Sequence, residues 1–93
     1  MKLPKTIEID KYTYKIKKVK RLYNKKGHRL FGACSYKDQT IRIAQGQSKD
    51  EERDTLLHEI IHVASHVEGI NLQEHQVEKL SSRLTQIFKH NKI

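Results

Sequence analysis

Tryptophan is absent from the 93-residue sequence, aromatic residues make up 6% of it, and hydrophobic residues only 35%. A chain of this size and composition buries a limited core, so a bound metal or a partner would help to stabilise it. The single cysteine, Cys34, excludes an internal disulfide and favours a reducing compartment. The apolar runs are too short for a membrane span or a secretion signal. We therefore expect one soluble, cytoplasmic domain.

The positive charge is concentrated in the first half of the chain. Residues 1–49 contain 14 lysines and arginines against 3 acids, whereas residues 50–93 contain 5 against 8. Nine basic side chains and no acid occur between Lys11 and Arg29. Such a segment predicts attraction to phosphates, as in a nucleic acid, or to an acidic protein. The alternative interpretation is a solvated hairpin that its lysines keep soluble.

Apolar and polar residues alternate in the first half of the chain, which is typical of β-strands. Short breaks or turns at 10–11, 24–28 and 37–39 separate the alternating segments. The pattern predicts an antiparallel meander of three or four strands within residues 1–46, with strands near 7–9, 12–16, 30–36 and 40–44.

The period changes to 3.6 residues from Ser48 onwards, which predicts two helices. Ser48 and Glu51 match a capping box and predict a helix over residues 50–68, ended by Gly69. Asn71 and Glu74 repeat the capping pattern and predict a second helix that ends near residue 89. The expected fold is therefore α+β, a single domain over residues 1–93 in which a small sheet precedes two packed helices within 48–90.

The first predicted helix carries an HExxH pattern. His58 and His62 are four residues apart, so they project from one face of the helix and can reach one metal ion. Glu59 lies at the flank of this face, where its carboxylate could hold a metal-bound water instead of binding the metal. The alternative is a pair of solvated histidines on a polar face. A helical wheel predicts that the core is contacted by an apolar arc on the other side, formed by Leu57, Ile60, Ile61, Val63, Ala64 and Val67.

A zinc site of this type needs a third protein ligand and an open position for water. His66 is two turns from His58, about 12 Å along the helix axis, which is too far for both to share an ion with His62. Glu74 starts the second helix, which Gly69 allows to pack back on the first, so Glu74 is the favoured ligand. The alternative role for Glu74 is that of a capping residue only. The full set of candidates is His66, His75, Glu74 and Glu78, the last as a substitute ligand or a partner of a ligating histidine.

The segments TLLHEIIHVASH and EHQVEKLSSRL cover residues 55–66 and 74–84. They resemble the HExxH-plus-glutamate zinc metallopeptidases of the ImmA/IrrE-like group and related small phage and mobile-element proteins. The resemblance covers about residues 40–84 and implies a minimal zincin. It also implies one zinc ion held by His58, His62 and Glu74, with Glu59 as the general base. The chain departs from larger members at Glu78, where asparagine is common, and in having no attached DNA-binding or sensor domain, so substrate and regulation stay open.

These observations predict a zinc metallopeptidase that hydrolyses peptide bonds of a protein substrate. Zinc would lower the pKa of a bound water to roughly 7, and Glu59 would accept its proton. The oxyanion donor stays open among Tyr36, His66 and His75. Strand Thr40–Ala44 would either offer an exposed edge to an extended substrate or be an ordinary member of the sheet. Two other classes stay open: a nucleic-acid-binding module with structural zinc, and a regulatory zinc-binding protein without turnover.

Overall fold

The computed structural model describes residues 3–93, so the first two residues of the predicted domain lie outside the described part. Within these described residues, six strands precede two helices, which confirms the α+β fold expected from the change of period at Ser48. The elements are β1 (Thr6–Ile9), β2 (Tyr12–Val19), β3 (Leu22–Tyr23), β4 (Arg29–Leu30), β5 (Gly32–Ser35), β6 (Thr40–Ala44), α1 (Lys49–Glu68) and α2 (Glu74–His90).

Four of the strands form one mixed sheet in the order β1-β2-β6-β5. The pairs β1–β2 and β5–β6 are antiparallel, but β2 and β6 run parallel. The prediction of a wholly antiparallel meander is therefore wrong. Strand β6 lies between β2 and β5 in the sheet. Its residues Ile41 and Ile43 are fully buried, as expected for a central strand. Of the two alternatives for Thr40–Ala44, ordinary membership of the sheet is confirmed and the exposed edge is excluded, because β5 forms the edge on this side of the sheet.

The predicted strand over residues 30–36 is divided at Phe31, and its first part belongs to a separate two-stranded ribbon. In this ribbon, Leu22 of β3 lies opposite Leu30 of β4. The loop between the two strands is organised by Asn24, whose side-chain oxygen accepts hydrogen bonds from two backbone N–H groups, those of Lys26 and His28, each at 2.9 Å. The predicted loop is thus confirmed, and it connects two short strands that lie outside the main sheet.

Helix α1 begins and ends through local signals. Ser48 Oγ accepts a hydrogen bond from the backbone N–H of Glu51 at 3.1 Å, and the Glu51 carboxylate accepts one from the Ser48 N–H at 2.8 Å. Gly69 adopts the left-handed conformation, with φ 71°, and its N–H donates to the His66 carbonyl. Both predicted boundaries are therefore confirmed to within one residue.

Helix α2 begins later than the capping pattern predicts. Its N-cap is Gln73, whose backbone N–H donates to the Gln76 side-chain oxygen at 2.8 Å. The expected Asn71–Glu74 capping box is wrong, because Gln73 and Gln76 form the equivalent contact two residues further along. Glu74 is therefore the first residue of the helix, and its carboxylate takes no part in the capping contact.

The core lies between one face of the sheet and helix α1. Its buried residues are Tyr14, Ile41, Ile43, Leu56 and Val63. The most buried side chains of α1 are Glu52, Leu56, Glu59 and Val63. The buried face of the helix therefore includes Glu59 and differs from the predicted apolar arc by a rotation about the helix axis. The reason is that β5 and β6 cover this face, while α2 packs on a different side of α1. Within residues 3–93, neither helix has the length and apolar character needed to cross a membrane.

Candidate metal centre

Three predicted ligands converge at the contact between the two helices. His58 Nε2 lies 2.7 Å from Glu74 Oε1, and His62 Nε2 lies 2.9 Å from Glu74 Oε2. The two histidine Nε2 atoms are 3.2 Å apart. One ligand atom from each residue lies within 4.8 Å of the others, so the group could hold a metal ion.

Helix pairing brings Glu74 to the two histidines. Helix α2 packs antiparallel on α1 and buries Val77 completely. At the far end of the pair, Lys89 Nζ lies 2.6 Å from Asp50 Oδ2, and Thr85 Oγ1 donates to Asp54 Oδ1 at 3.4 Å. These contacts accompany the antiparallel alignment of the helices, and the reversal after Gly69 leaves the first residue of α2 opposite the HExxH turns.

Glu59 lies next to the ligands on the buried face of α1 and is only 7% exposed. This position was not expected, because the helical wheel placed Glu59 at a flank without a core role. Burial raises the pKa of the Glu59 carboxyl above its ordinary value, and the nearby His58 and His62 only partly oppose this effect. A carboxylate with a raised pKa is a stronger proton acceptor than an ordinary glutamate.

The edge strand β5 approaches α1 unusually closely at Gly32. A Cβ atom on residue 32 would lie 2.5 Å from Thr55 Cγ2 and 3.3 Å from Glu59 Oε2. Only glycine therefore allows this separation between strand and helix. Sequence reasoning missed Gly32, although a glycine inside an alternating strand is a signal of close backbone approach.

Two polar side chains hold the strand and the helix at this distance. Thr55 Oγ1 donates to Gln47 Oε1 at 2.7 Å, and Gln47 Nε2 donates to the carbonyls of Phe31 and Ala44 at 3.1 and 2.9 Å. Gln47 thus joins α1 to the residues beside β5 and β6. This arrangement fixes the position of Gly32 beside the Glu59 carboxylate.

Tyr36 follows β5 and lies near the HExxH helix. Its ring stacks on His66 at a centroid distance of 3.8 Å, and its hydroxyl donates to the His62 carbonyl at 3.4 Å. Burial, together with the neighbouring Cys34, raises the pKa of Tyr36 to about 12, so the hydroxyl stays protonated at neutral pH. His66 is exposed and lies outside the ligand group, as expected from its distance along the helix.

An open cleft of about 770 Å³ contains the ligand group. One wall is formed by the edge strand β5 with the preceding residues Arg29, Leu30 and Phe31, and the opposite wall is formed by α1 and α2. Of the three candidate oxyanion donors, Tyr36 lines the cleft, whereas His66 and His75 do not. Glu78 also lines the cleft but lies outside the ligand group, so within residues 3–93 the structure favours Glu74 as the third ligand.

Cys34 of β5 faces the same cleft, and sequence reasoning gave it no place there. Burial, with a smaller contribution from the negative charge of Glu59, raises the pKa of the Cys34 thiol to about 12. The thiol is therefore protonated and unreactive near neutral pH. Cys34 contributes a small, neutral wall beside Glu59.

Comparisons of the chain with protein family models, with curated proteins and with solved structures returned no match.

Proposed function

We propose that the protein is a zinc-dependent metallopeptidase. The observation that carries the proposal is the convergence of His58, His62 and Glu74 beside the buried carboxylate of Glu59, in a cleft open to solvent. Three protein ligands with an open position are typical of catalytic zinc sites, whereas structural sites are closed by four protein ligands. This combination favours catalysis over a purely structural metal.

The donor set and its dimensions fit zinc. Donors placed roughly 2.0–2.2 Å from a tetrahedral zinc ion lie about 3.3 Å from one another. The two histidine nitrogens are 3.2 Å apart, and each lies 2.7 or 2.9 Å from a different oxygen of Glu74. One donor atom from each residue lies within 4.8 Å of the others, so small side-chain adjustments would let the three surround one ion. Imidazole nitrogen and carboxylate oxygen are also ligands that zinc accepts readily.

In the proposed reaction, Glu59 and Tyr36 have separate roles. Zinc, when bound, supplies a Lewis acid that polarises the scissile carbonyl and lowers the pKa of water. Glu59 accepts the proton of the attacking water and passes it to the leaving amine. Tyr36 is the proposed donor to the developing oxyanion, because the residue lines the cleft and its hydroxyl stays protonated; the hydroxyl would have to turn from the His62 carbonyl to the oxyanion.

The proposed substrate is an extended segment of a protein. Strand β5 is the last strand of the sheet next to the cleft, and Gly32, Ala33 and Cys34 line the cleft wall. A polypeptide can add to such an edge through main-chain hydrogen bonds. Strand addition at β5 would place a peptide bond between the edge strand and the HExxH helix.

The test compares wild type with Glu59→Gln, which keeps the size of the side chain and removes its basicity. We expect the variant to retain zinc and its melting temperature, because glutamine fills the same buried volume without a charge. Cleavage of an unfolded protein such as casein should fall by at least about 100-fold, since general-base catalysis contributes this much.

Two outcomes would contradict the proposal. Equal cleavage by wild type and Glu59→Gln would exclude Glu59 as the base. Absence of cleavage in both, with full zinc occupancy, would favour a regulatory zinc-binding protein. Zinc content and melting temperature, measured on the same samples, separate loss of catalysis from loss of metal or fold.

A further inference from the structure

The face of the sheet opposite the helices carries a group of three neighbouring basic side chains. Lys17 of β2 pairs with Arg42 of β6, and Lys15 lies two residues from Lys17 on the same strand. Tyr14, next in sequence to Lys15, lies in the core, so the alternation of β2 directs Lys15 and Lys17 to the other face. We call Lys15, Lys17 and Arg42 the cationic face.

The cationic face has an unfavourable arrangement of charge. Like charges at directly paired positions of adjacent strands destabilise a sheet. Within residues 3–93, none of the three side chains forms an ion pair, whereas Lys18, on the core side of β2, lies 2.7 Å from Glu52. Lys15 and Lys17 are exposed, and Arg42 is half-buried. An anionic ligand would relieve this repulsion.

We propose that the cationic face binds the phosphate backbone of a single-stranded nucleic acid. The other residues paired directly with the three basic residues are small or polar, namely Thr6, Thr40 and Ala33, while Glu8 and Val19 lie at the next positions of the same face. Protein interfaces bury aromatic and apolar side chains and are depleted in lysine. Phosphate contacts alone supply most non-specific nucleic-acid affinity.

The ribbon that follows β2 in the chain carries further basic residues and an exposed aromatic ring. Lys20 and Arg21 connect β2 to the ribbon, and Tyr23 on β3 is 54% exposed and lies opposite Arg29. An exposed aromatic ring between basic residues can stack on an unpaired base. This combination favours a single strand, whose bases are available for stacking, over an acidic protein.

The cationic face is separate from the metal centre. Its side chains point away from the helices that carry His58, His62 and Glu74, and none of the three lines the cleft around those residues, although Arg29 of the ribbon does. The inference does not depend on the proposed peptidase activity.

The test measures fluorescence anisotropy of a labelled 20-nucleotide single-stranded DNA at several salt concentrations. The test variant carries Lys15→Gln, Lys17→Gln and Arg42→Gln. The control removes the same number of lysines and arginines from exposed positions of α2 and the C-terminus, with Lys79→Gln, Arg83→Gln and Lys92→Gln. Circular dichroism verifies that both variants are folded.

Each phosphate contact contributes about 0.7 to the salt slope for a single strand, so loss of three contacts should lower the slope by about 2. The same relation predicts an affinity loss of about 100-fold at 0.1 M salt for the test variant. The control should stay within a few-fold of wild type. Equal losses in both variants, no binding by wild type, or equally effective competition by polyglutamate at the same charge concentration would each overturn the proposal.

Discussion

Replacement of Gly32 by alanine tests the close contact between β5 and the HExxH helix. The added Cβ would lie 2.5 Å from Thr55 Cγ2, well inside van der Waals contact, and 3.3 Å from Glu59 Oε2. Thr55 cannot easily rotate away, because it is β-branched and its hydroxyl is hydrogen-bonded to Gln47. Strand and helix must therefore separate, as in other overpacked sites.

Overpacking of this kind costs about 1–3 kcal/mol of the free energy of unfolding. For a domain of this size, a loss of about 2 kcal/mol lowers the melting temperature by roughly 8–16 °C. Thr55→Ser removes Cγ2 but keeps the hydroxyl that donates to Gln47, so it should relieve the clash. We expect Gly32→Ala with Thr55→Ser to be more stable than Gly32→Ala alone, with a coupling energy of about 1–2 kcal/mol.

Urea unfolding of wild type, both single variants and the double variant measures this coupling. Additive free energies would show that Thr55 does not limit the approach of β5, and an unchanged stability of Gly32→Ala would refute the close contact itself. Gly32→Ala should also reduce peptide hydrolysis, because the strand that lines the cleft shifts relative to Glu59.

Two further predictions concern the ligands and the cysteine. Glu74→Ala should weaken zinc binding by at least about 100-fold in competition with a chelator, whereas Glu78→Ala should change it little; the reverse order would make Glu78 the third ligand. With a pKa of about 12, only about one Cys34 thiol in ten thousand is ionised at pH 8, against about one in four for an ordinary thiol. Iodoacetamide should therefore modify the folded metal-free chain at least about 1,000-fold more slowly than the chain in guanidinium, and comparable rates would contradict this environment.

Local signals in the sequence account for the parts of the site that could be predicted. The spacing of His58 and His62 follows from helix periodicity, and the start of α1 follows from Ser48 and Glu51, which contact one another across one turn. Glu74 was selected because a helix that reverses after Gly69 returns its first turn towards the HExxH residues. These inferences need only short-range geometry.

The features that sequence reasoning missed depend on contacts between distant elements. The central position of β6 is decided by pairing with β2, more than twenty residues earlier, and alternation alone does not specify which strands become neighbours. Glu59 is buried because β5 covers its side of α1, which a helical wheel cannot indicate. The contact of Gly32 with Thr55 likewise arises only when strand and helix pack together.

The start of α2 shows a different limit. Asn71 and Glu74 match the usual capping residues better than Gln73 and Gln76 do, yet the glutamine pair makes the contact. The benefit to the site is that Glu74 is not engaged at the helix terminus and both of its oxygens face the histidines. Tertiary contacts here outweigh local capping preference.

The zinc content of the purified protein, measured by mass spectrometry after dialysis against metal-free buffer, tests the central claim most directly. The geometry of His58, His62 and Glu74 predicts one zinc ion per wild-type chain and no retained zinc in either His58→Ala or His62→Ala. Removal of the ion should also lower the melting temperature, because the metal binds only the folded chain. Wild-type protein without zinc, or full zinc occupancy in both histidine variants, would contradict the metal centre.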